Sequence, residues 1–295
     1  MKKNILIWFV MLSAAEVSFF FSSCDKIKMP YIQGSAGSVD TIATKVRKVL
    51  IEDFTGQKCG NCPPAAITIN TIKGIHPGKV ISIAVHTNFF ATPAAAPYTY
   101  DFRTNEGNDY DATFDPASVG WPAGMINRRG YPNNTHWKNL GNWADTVAAL
   151  LAIPPDADIQ ITNSYNSSTR VLNTSVRSEF FSSLNGNYKL VVLLTEDSIV
   201  KPQTDYSQPA GQQDVLNYVH RHALRDGITT SWGDALISGT ITAGDTAVKT
   251  YNYTLPVTFP ATNGIAPNEN LCYVVAYIYD AVTYEVIQAE EKKIK

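Results

Sequence analysis

Apolar and polar positions divide the chain into stretches of different texture. VRKVLIEDF (46–54), with Val49, Leu50 and Ile51 at its centre, reads as a buried strand. PPAAITINTIKGI (63–75) carries helical spacing that we expect to break at Gly74, and KVISIAVHTNFF (79–90) is a second buried strand. Strand, helix and strand within about forty residues predict a right-handed crossover and a parallel pair. Residues 91–117 are rich in Pro, Asp, Asn and aromatics and read as a long insertion without regular structure. GWPAGMINRRG (120–130) then leads through a proline into a short strand. An amphipathic helix follows from Asn139 to Leu151, with Trp143, Val147, Leu150 and Leu151 on one side.

IPPDAD (153–158) has the punctuation of a domain boundary, and after it the alternation turns to period two. DIQITNSY, RVLNTSVRSEF, NYKLVVLLTED, LISGTIT, VKTYNYTLPVT, LCYVVAYIYD and YEVIQAEEK make seven strand-like runs, with Asn185-Gly186 the clearest turn signal between them. Seven short alternating strands predict an all-β immunoglobulin-like sandwich over residues 153–295. Its B–F disulfide is excluded, because Cys272 is the only cysteine there, and in so regular a strand pattern it reads as a buried core thiol.

The N-terminus changes the compartment. Lys2 and Lys3 precede an apolar run from Ile5 to Phe21, interrupted by Glu16, which is the layout of a secretory leader and short for a membrane span. The run ends in FSSC, and Cys24 resembles the acylated cysteine of bacterial lipoproteins, although Phe21 stands where a leucine is usual. The expected organisation is a leader over 1–23 and a Gly/Ser/Pro-containing tether over 24–45, anchored to a membrane by lipid on Cys24. An unmodified leader cleaved nearby is the alternative. A net charge of −2 without a basic stripe argues against a nucleic-acid partner.

The remaining chemistry lies in QKCGNCPP (57–64), which fits a redox dithiol, half of a metal site or a local staple. Zinc ordinarily needs two such pairs or added histidines, and His76 and His86 are poorly spaced for it, so no metal and no cofactor are expected. A cysteine at the start of a helix faces unpaired amides and the positive end of the dipole, which favours the thiolate of Cys59, as does Lys58 beside it. Cys62, one turn on, would resolve a mixed disulfide. Asp53, if buried, would have a raised pKa and exchange protons near neutrality.

KVLIEDFTGQKCGNC resembles the strand–turn–CxxC segment of the thioredoxin superfamily. The resemblance covers roughly residues 46–152 and implies an α/β thioredoxin-like domain carrying the insertion 91–117. It implies that Asp53 is the buried carboxylate serving Cys62, and that Pro122 in GWPAG is the cis-proline beside the dithiol. Lys58 replaces the family's usual aromatic before the first cysteine. Over nearly the whole mature chain, the leader, the CxxC, the GWPAGMINR and YVHRHALR segments and the C-terminal strands look like the Omp28-related outer-membrane lipoproteins of Bacteroidetes. That family's members are lipoproteins of the outer membrane or cell surface with no settled function, and adhesion has been suggested for some.

Two functions follow as expectations. One is thiol–disulfide exchange on exported proteins through Asp53, Cys59, Cys62 and Pro122. The other is a non-enzymatic surface-binding or adhesion lipoprotein whose CxxC is a structural disulfide. His220 and His222 share a strand face but lack a third ligand, so they read as packing residues. Arg128 and Arg129 read as solvated.

Overall fold

The computed structural model describes residues 45–295, so the leader, the lipid-attachment site expected at Cys24 and all but the last residue of the tether lie outside the described residues. The first elements follow the hydrophobic pattern. β1 (Val49–Thr55) is buried along its whole length and pairs in parallel with β2 (Val80–His86), the register running from Val49↔Val80 to Thr55↔His86. Between them α1 (Pro63–Ile75) lays Ala65, Ile69 and Ile72 on the sheet. It runs through Gly74 without a break. Its first two positions are prolines, which lack the N–H that a first helical turn leaves unpaired anyway.

The segment 91–117 is more ordered than its composition predicts. After a short helix, α2 (Asn88–Ala91), it forms α3 (Asn105–Phe114). The Thr104 hydroxyl caps α3 by accepting from the Gly107 amide, Glu106 sits in the first turn, and Asp115 ends the helix in the left-handed region at φ 50°. Tyr110 and Phe114, four residues apart, face the core together. β3 (Ala123–Ile126) then runs antiparallel to β1, β4 (Trp137–Lys138) extends the edge, and α4 (Trp143–Leu151) packs Trp143, Val147 and Leu150 beside α1.

The second half supplies β5 (Ala157–Asn166), β6 (Val171–Phe180), β7 (Leu184–Glu196), β8 (Ile199–Thr204) and β9 (Asp214–His220). It continues with β10 (Ala223–Gly227), β11 (Asp234–Ile241), β12 (Thr246–Thr254), β13 (Cys272–Asp280) and β14 (Val286–Lys293). Asn185-Gly186 is no hairpin turn. It lies inside β7, facing Thr240 and Gly239 of β11.

The expected succession of an α/β thioredoxin-like domain and a separate immunoglobulin-like sandwich is not what the chain forms. A single nine-stranded sheet runs in the order β14-β13-β7-β10-β2-β1-β3-β4, with β11 also on β7, and takes strands from both halves. The reason is β10, a strand too short and too polar (ALRDG) for the hydrophobic pattern to disclose. It pairs antiparallel with β7 and bridges in parallel to β2 at Ala223↔Ala84, where the Ala84 amide donates to the His222 carbonyl. The outer strand β14 turns back towards β1. The Val286 amide donates to the Asn127 carbonyl, and the Lys48 amide to Oε1 of Gln288.

One face of the sheet thus encloses a shared core in which Leu50, Phe54, Ile83 and Met125 meet Val191, Leu193, Val275 and Tyr277. Inside it Arg128, expected in solvent, is fully buried with Glu52. Its Nε donates to Oε2 at 2.8 Å and its NH2 group to Oε1 at 2.6 Å and to the Tyr277 hydroxyl at 2.8 Å. The rings of Tyr110, Phe114 and Tyr277 surround the guanidinium at 4.9–5.0 Å. On the other face a three-stranded sheet, β12-β6-β5, covers β7 and β13 through Ile159, Leu172, Val176 and Phe180, while α1 and α4 cover β1 and β3. Strands β8 and β9 form a separate two-stranded ribbon.

Candidate functional site

Beyond β1 the chain must turn tightly to reach α1. A Cβ on Gly56 would meet the Phe90 carbonyl carbon at 2.4 Å, so only glycine lets the turn approach α2 so closely. The Cys59 amide then donates to Gly56 O (2.9 Å), and the Cys62 amide to Cys59 O (3.2 Å). These successive turns bring the two sulfurs together as a Cys59–Cys62 disulfide, with Cys62 as the N-cap of α1. Pro63 and Pro64 withhold two amides from this end of the helix, so the field at the cysteines is weaker than an ordinary N-terminus provides. Lys58 lies with its ammonium 4.4 Å from the centre of the Phe89 ring.

Pro122 follows a cis Trp121-Pro122 bond and directly precedes the β1–β3 ladder at Ala123↔Phe54. That places it beside Thr55 and Gly56, where the turn to Cys59 begins. The Trp121 ring lies 5.4 Å from that of Phe90.

Behind the disulfide is a small polar cavity of about 40 Å³, a volume for two or three water molecules. Asp53, Thr55, Cys62, Ser82, His86, Gln203, Tyr218, His220 and His222 all line it. The alternation of β1 and β2 puts Asp53, Thr55, Ser82 and His86 on the face that α1 covers. Asp53 is 3% exposed and its Oδ1 has no hydrogen-bond partner among the described residues. Burial alone raises its pKa to about 7. Burial also holds the His86 imidazole well below its usual range, with His220 and Arg225 adding repulsion, and pushes His220 down to about 4. Neither ring nitrogen of His86, nor Nε2 of His220, finds a partner among the described residues. His86 stacks on Phe102 at 4.3 Å, and His220 sits 5.4 Å from His86. Among the described residues no group of His, Cys, Asp and Glu has the arrangement to hold a metal ion.

Three of the four sequence-derived redox residues, Asp53, Cys59 and Cys62, therefore meet around one turn and its cavity, with Pro122 next to the turn. Tyr218 and Gln203 escaped the sequence reading; His86 entered it only as a poorly spaced zinc ligand, and His220 only as a packing residue paired with His222, which lies beyond the end of β9. Also unforeseen is the cover on the outer side. The Thr204 amide donates to Gln57 O at 2.8 Å and the Tyr206 amide to Gly60 O at 2.9 Å. The Gln203 carboxamide donates to Gly56 O (3.2 Å) and Cys59 O (2.9 Å), and both cysteines are left 2% exposed. Cys272 is a buried free thiol in β13, its pKa pushed up to about 12 by that burial.

The sequence profile of the family described as outer membrane protein Omp28 matches residues 108–295. Among solved structures, HBP35 of Porphyromonas gingivalis is similar with a TM-score of 0.60 at 15% identity, over 84% of this chain and 76% of that one. At that identity the likeness is one of fold. A domain of the outer membrane lipoprotein Omp28 from Porphyromonas gingivalis aligns over 48% of this chain and 89% of its own, at 16% identity and a TM-score of 0.32. No curated protein matches the chain in sequence. No helix among the described residues is long and apolar enough to cross a membrane.

Proposed function

We propose that this chain, which belongs to the outer membrane protein Omp28 family and is an outer-membrane protein, carries out thiol–disulfide exchange on exported proteins while held by a lipid on Cys24. The observation that carries the proposal is the shared cavity of Asp53 and Cys62: a carboxyl poised to titrate near neutrality lies on the enclosed side of the disulfide. A partner thiolate attacks Sγ of Cys59, the Cys59–Cys62 bond breaks, and Cys62 leaves as a thiolate that takes the proton of Asp53. A second partner thiol then attacks the mixed disulfide and releases Cys59. The partner loses two electrons and two protons as its disulfide forms, and Cys59 and Cys62 end as a dithiol.

Burial of both sulfurs favours a second reading, in which the pair is a staple in a surface-binding lipoprotein. The full-length Cys62→Ser protein, incubated with envelope extract, separates them. Exchange requires mixed disulfides on Cys59 that vanish in Cys59→Ser, and oxidation of reduced ribonuclease by the parent protein. Failure of both leaves the staple.

A further inference from the structure

The ribbon of β8 and β9 has two ends of different character. Its base is built into the molecule: Ile199 packs with Tyr100, Phe102 and Ala223, and His220 is buried against Phe102. Its far end rests on the disulfide turn. There the end of β8 and the turn after it, Gln203–Tyr206, donate two main-chain N–H groups, from Thr204 and Tyr206, to Gln57 O and Gly60 O. Main-chain bonds of this kind are what any bound polypeptide can offer such carbonyls. The Gln203 side chain reaches behind it to Gly56 O and Cys59 O, and Tyr206 lays its ring over Gly60. A Cβ on Gly60 would come within 2.5 Å of that ring, so the absence of a side chain at Gly60 lets the cover close. Yet Tyr206 remains 58% exposed, and Val200 and Leu216 of the ribbon also face solvent.

We propose that Gln203–Tyr206 is an intramolecular stand-in for an extended polypeptide, and that the Cys59–Cys62 pair becomes attackable only when this segment lifts from the turn. The inference rests on the exchange reading and names its substrate class: an unfolded or extended protein segment that can offer two alternate N–H groups and an aromatic side chain. A compact thiol such as glutathione brings no aromatic side chain to take the place of the Tyr206 ring. A chain that supplies the same hydrogen bonds does. The far end is held to the turn by hydrogen bonds rather than by an apolar core, and Tyr98 ties it further through Thr204 and Asp214, so it can lift while the apolar base stays packed.

The test is the rate at which dithiothreitol reduces the disulfide in the folded, full-length protein, read as the mass shift after alkylation. Tyr206→Ala removes the ring, and Gly60→Ala displaces it from the opposite side of the contact. Each is expected to speed reduction by about tenfold, the effect of losing the packing of one half-exposed aromatic ring while the main-chain hydrogen bonds stay. Tyr206→Phe is expected to react at the parent rate. A synthetic peptide of residues 199–208 is expected to slow Tyr206→Ala and leave the parent unchanged. Unchanged far-ultraviolet circular dichroism and melting temperature establish that the variants remain folded. Equal rates in the parent, Tyr206→Ala and Gly60→Ala overturn the cover, whatever the protein does to ribonuclease. Faster reduction and peptide protection without oxidation of reduced ribonuclease uphold the cover and overturn the exchange reading.

Discussion

Replacing Asp53 by asparagine keeps the shape of the side chain and removes its titration. In the folded protein burial raises the Asp53 pKa to about 7 from an ordinary value of 3.8, so the native state holds a proton that the unfolded chain has released. Stability is therefore complete below the unfolded value and falls as pH rises from about 4 through about 7. At about 1.4 kcal/mol per unit, a carboxylate buried without a partner costs about 4 kcal/mol once fully ionised. The neutral amide of the variant carries no such cost. Integrating between the two pKa values, the stability of Asp53→Asn relative to the parent should rise by about 3 kcal/mol from about pH 4.5 to about pH 8 and change little above that. Guanidinium denaturation at several pH values, with the disulfide intact in both proteins, measures the difference directly. Other groups cancel, because they titrate alike in the two chains. A difference that stays flat across this range, or a loss of stability in Asp53→Asn that grows with pH, would refute the reasoning, since it would mean the carboxylate is ionised and satisfied. In the exchange assay the same substitution should slow turnover by about 10²-fold, the usual contribution of a placed acid.

The histidine behind it works in the opposite sense: His220, depressed to about 4, is neutral when folded, so its contribution is present above about 6.5 and lost as pH falls. His220→Asn should accordingly reduce the loss of stability between about pH 7.5 and about pH 5 by about 2 kcal/mol, read from denaturation midpoints. Arg128→Met leaves Glu52 buried without its partner and should cost about 3–5 kcal/mol; adding Glu52→Gln should recover part of it, and no loss in the single variant would contradict the buried pair. Cys24→Ala should release the protein from membranes, and a variant that still fractionates with them, with no lipid found by mass spectrometry in the parent, would end the lipid-anchor reading.

What the sequence disclosed depended on how burial was achieved. β1, β2 and α1 announce themselves because apolar residues bury them, and their parallel pairing follows from their order. Cys59 and Cys62 stand out because their spacing has a chemical meaning, and Asp53 is picked out by the resemblance of its segment to thioredoxins. The ribbon and β10 were hidden, since beside Ile199, Ala223 and Leu224 their buried members include Gln203, His220 and Arg225, residues whose burial depends on partners far along the chain. Arg128 is the clearest case. Only Glu52 and Tyr277, from two other strands, make an arginine tolerable in a core, and neither is a neighbour in sequence. The division into two successive domains failed for the same reason. The break in texture near residue 153 is real, but hydrogen bonding crosses it through a strand with no hydrophobic signature.

The return of β14 to the neighbourhood of β1 has a consequence for biogenesis. Lys48 and Gln288, joined by a hydrogen bond, are 240 residues apart, and long-range pairing of this kind slows folding and lengthens the time that strand edges stay open. The turn bearing Cys59 and Cys62 leaves the secretion machinery well before Val286–Lys293 does. During that interval the two thiols stand in an oxidising compartment without the strand that completes the wall around Glu52 and Arg128. Until β14 is in place the hydrogen bonds it supplies beside β1 are missing, so removal of Val286–Lys293 should reach back to the first strand.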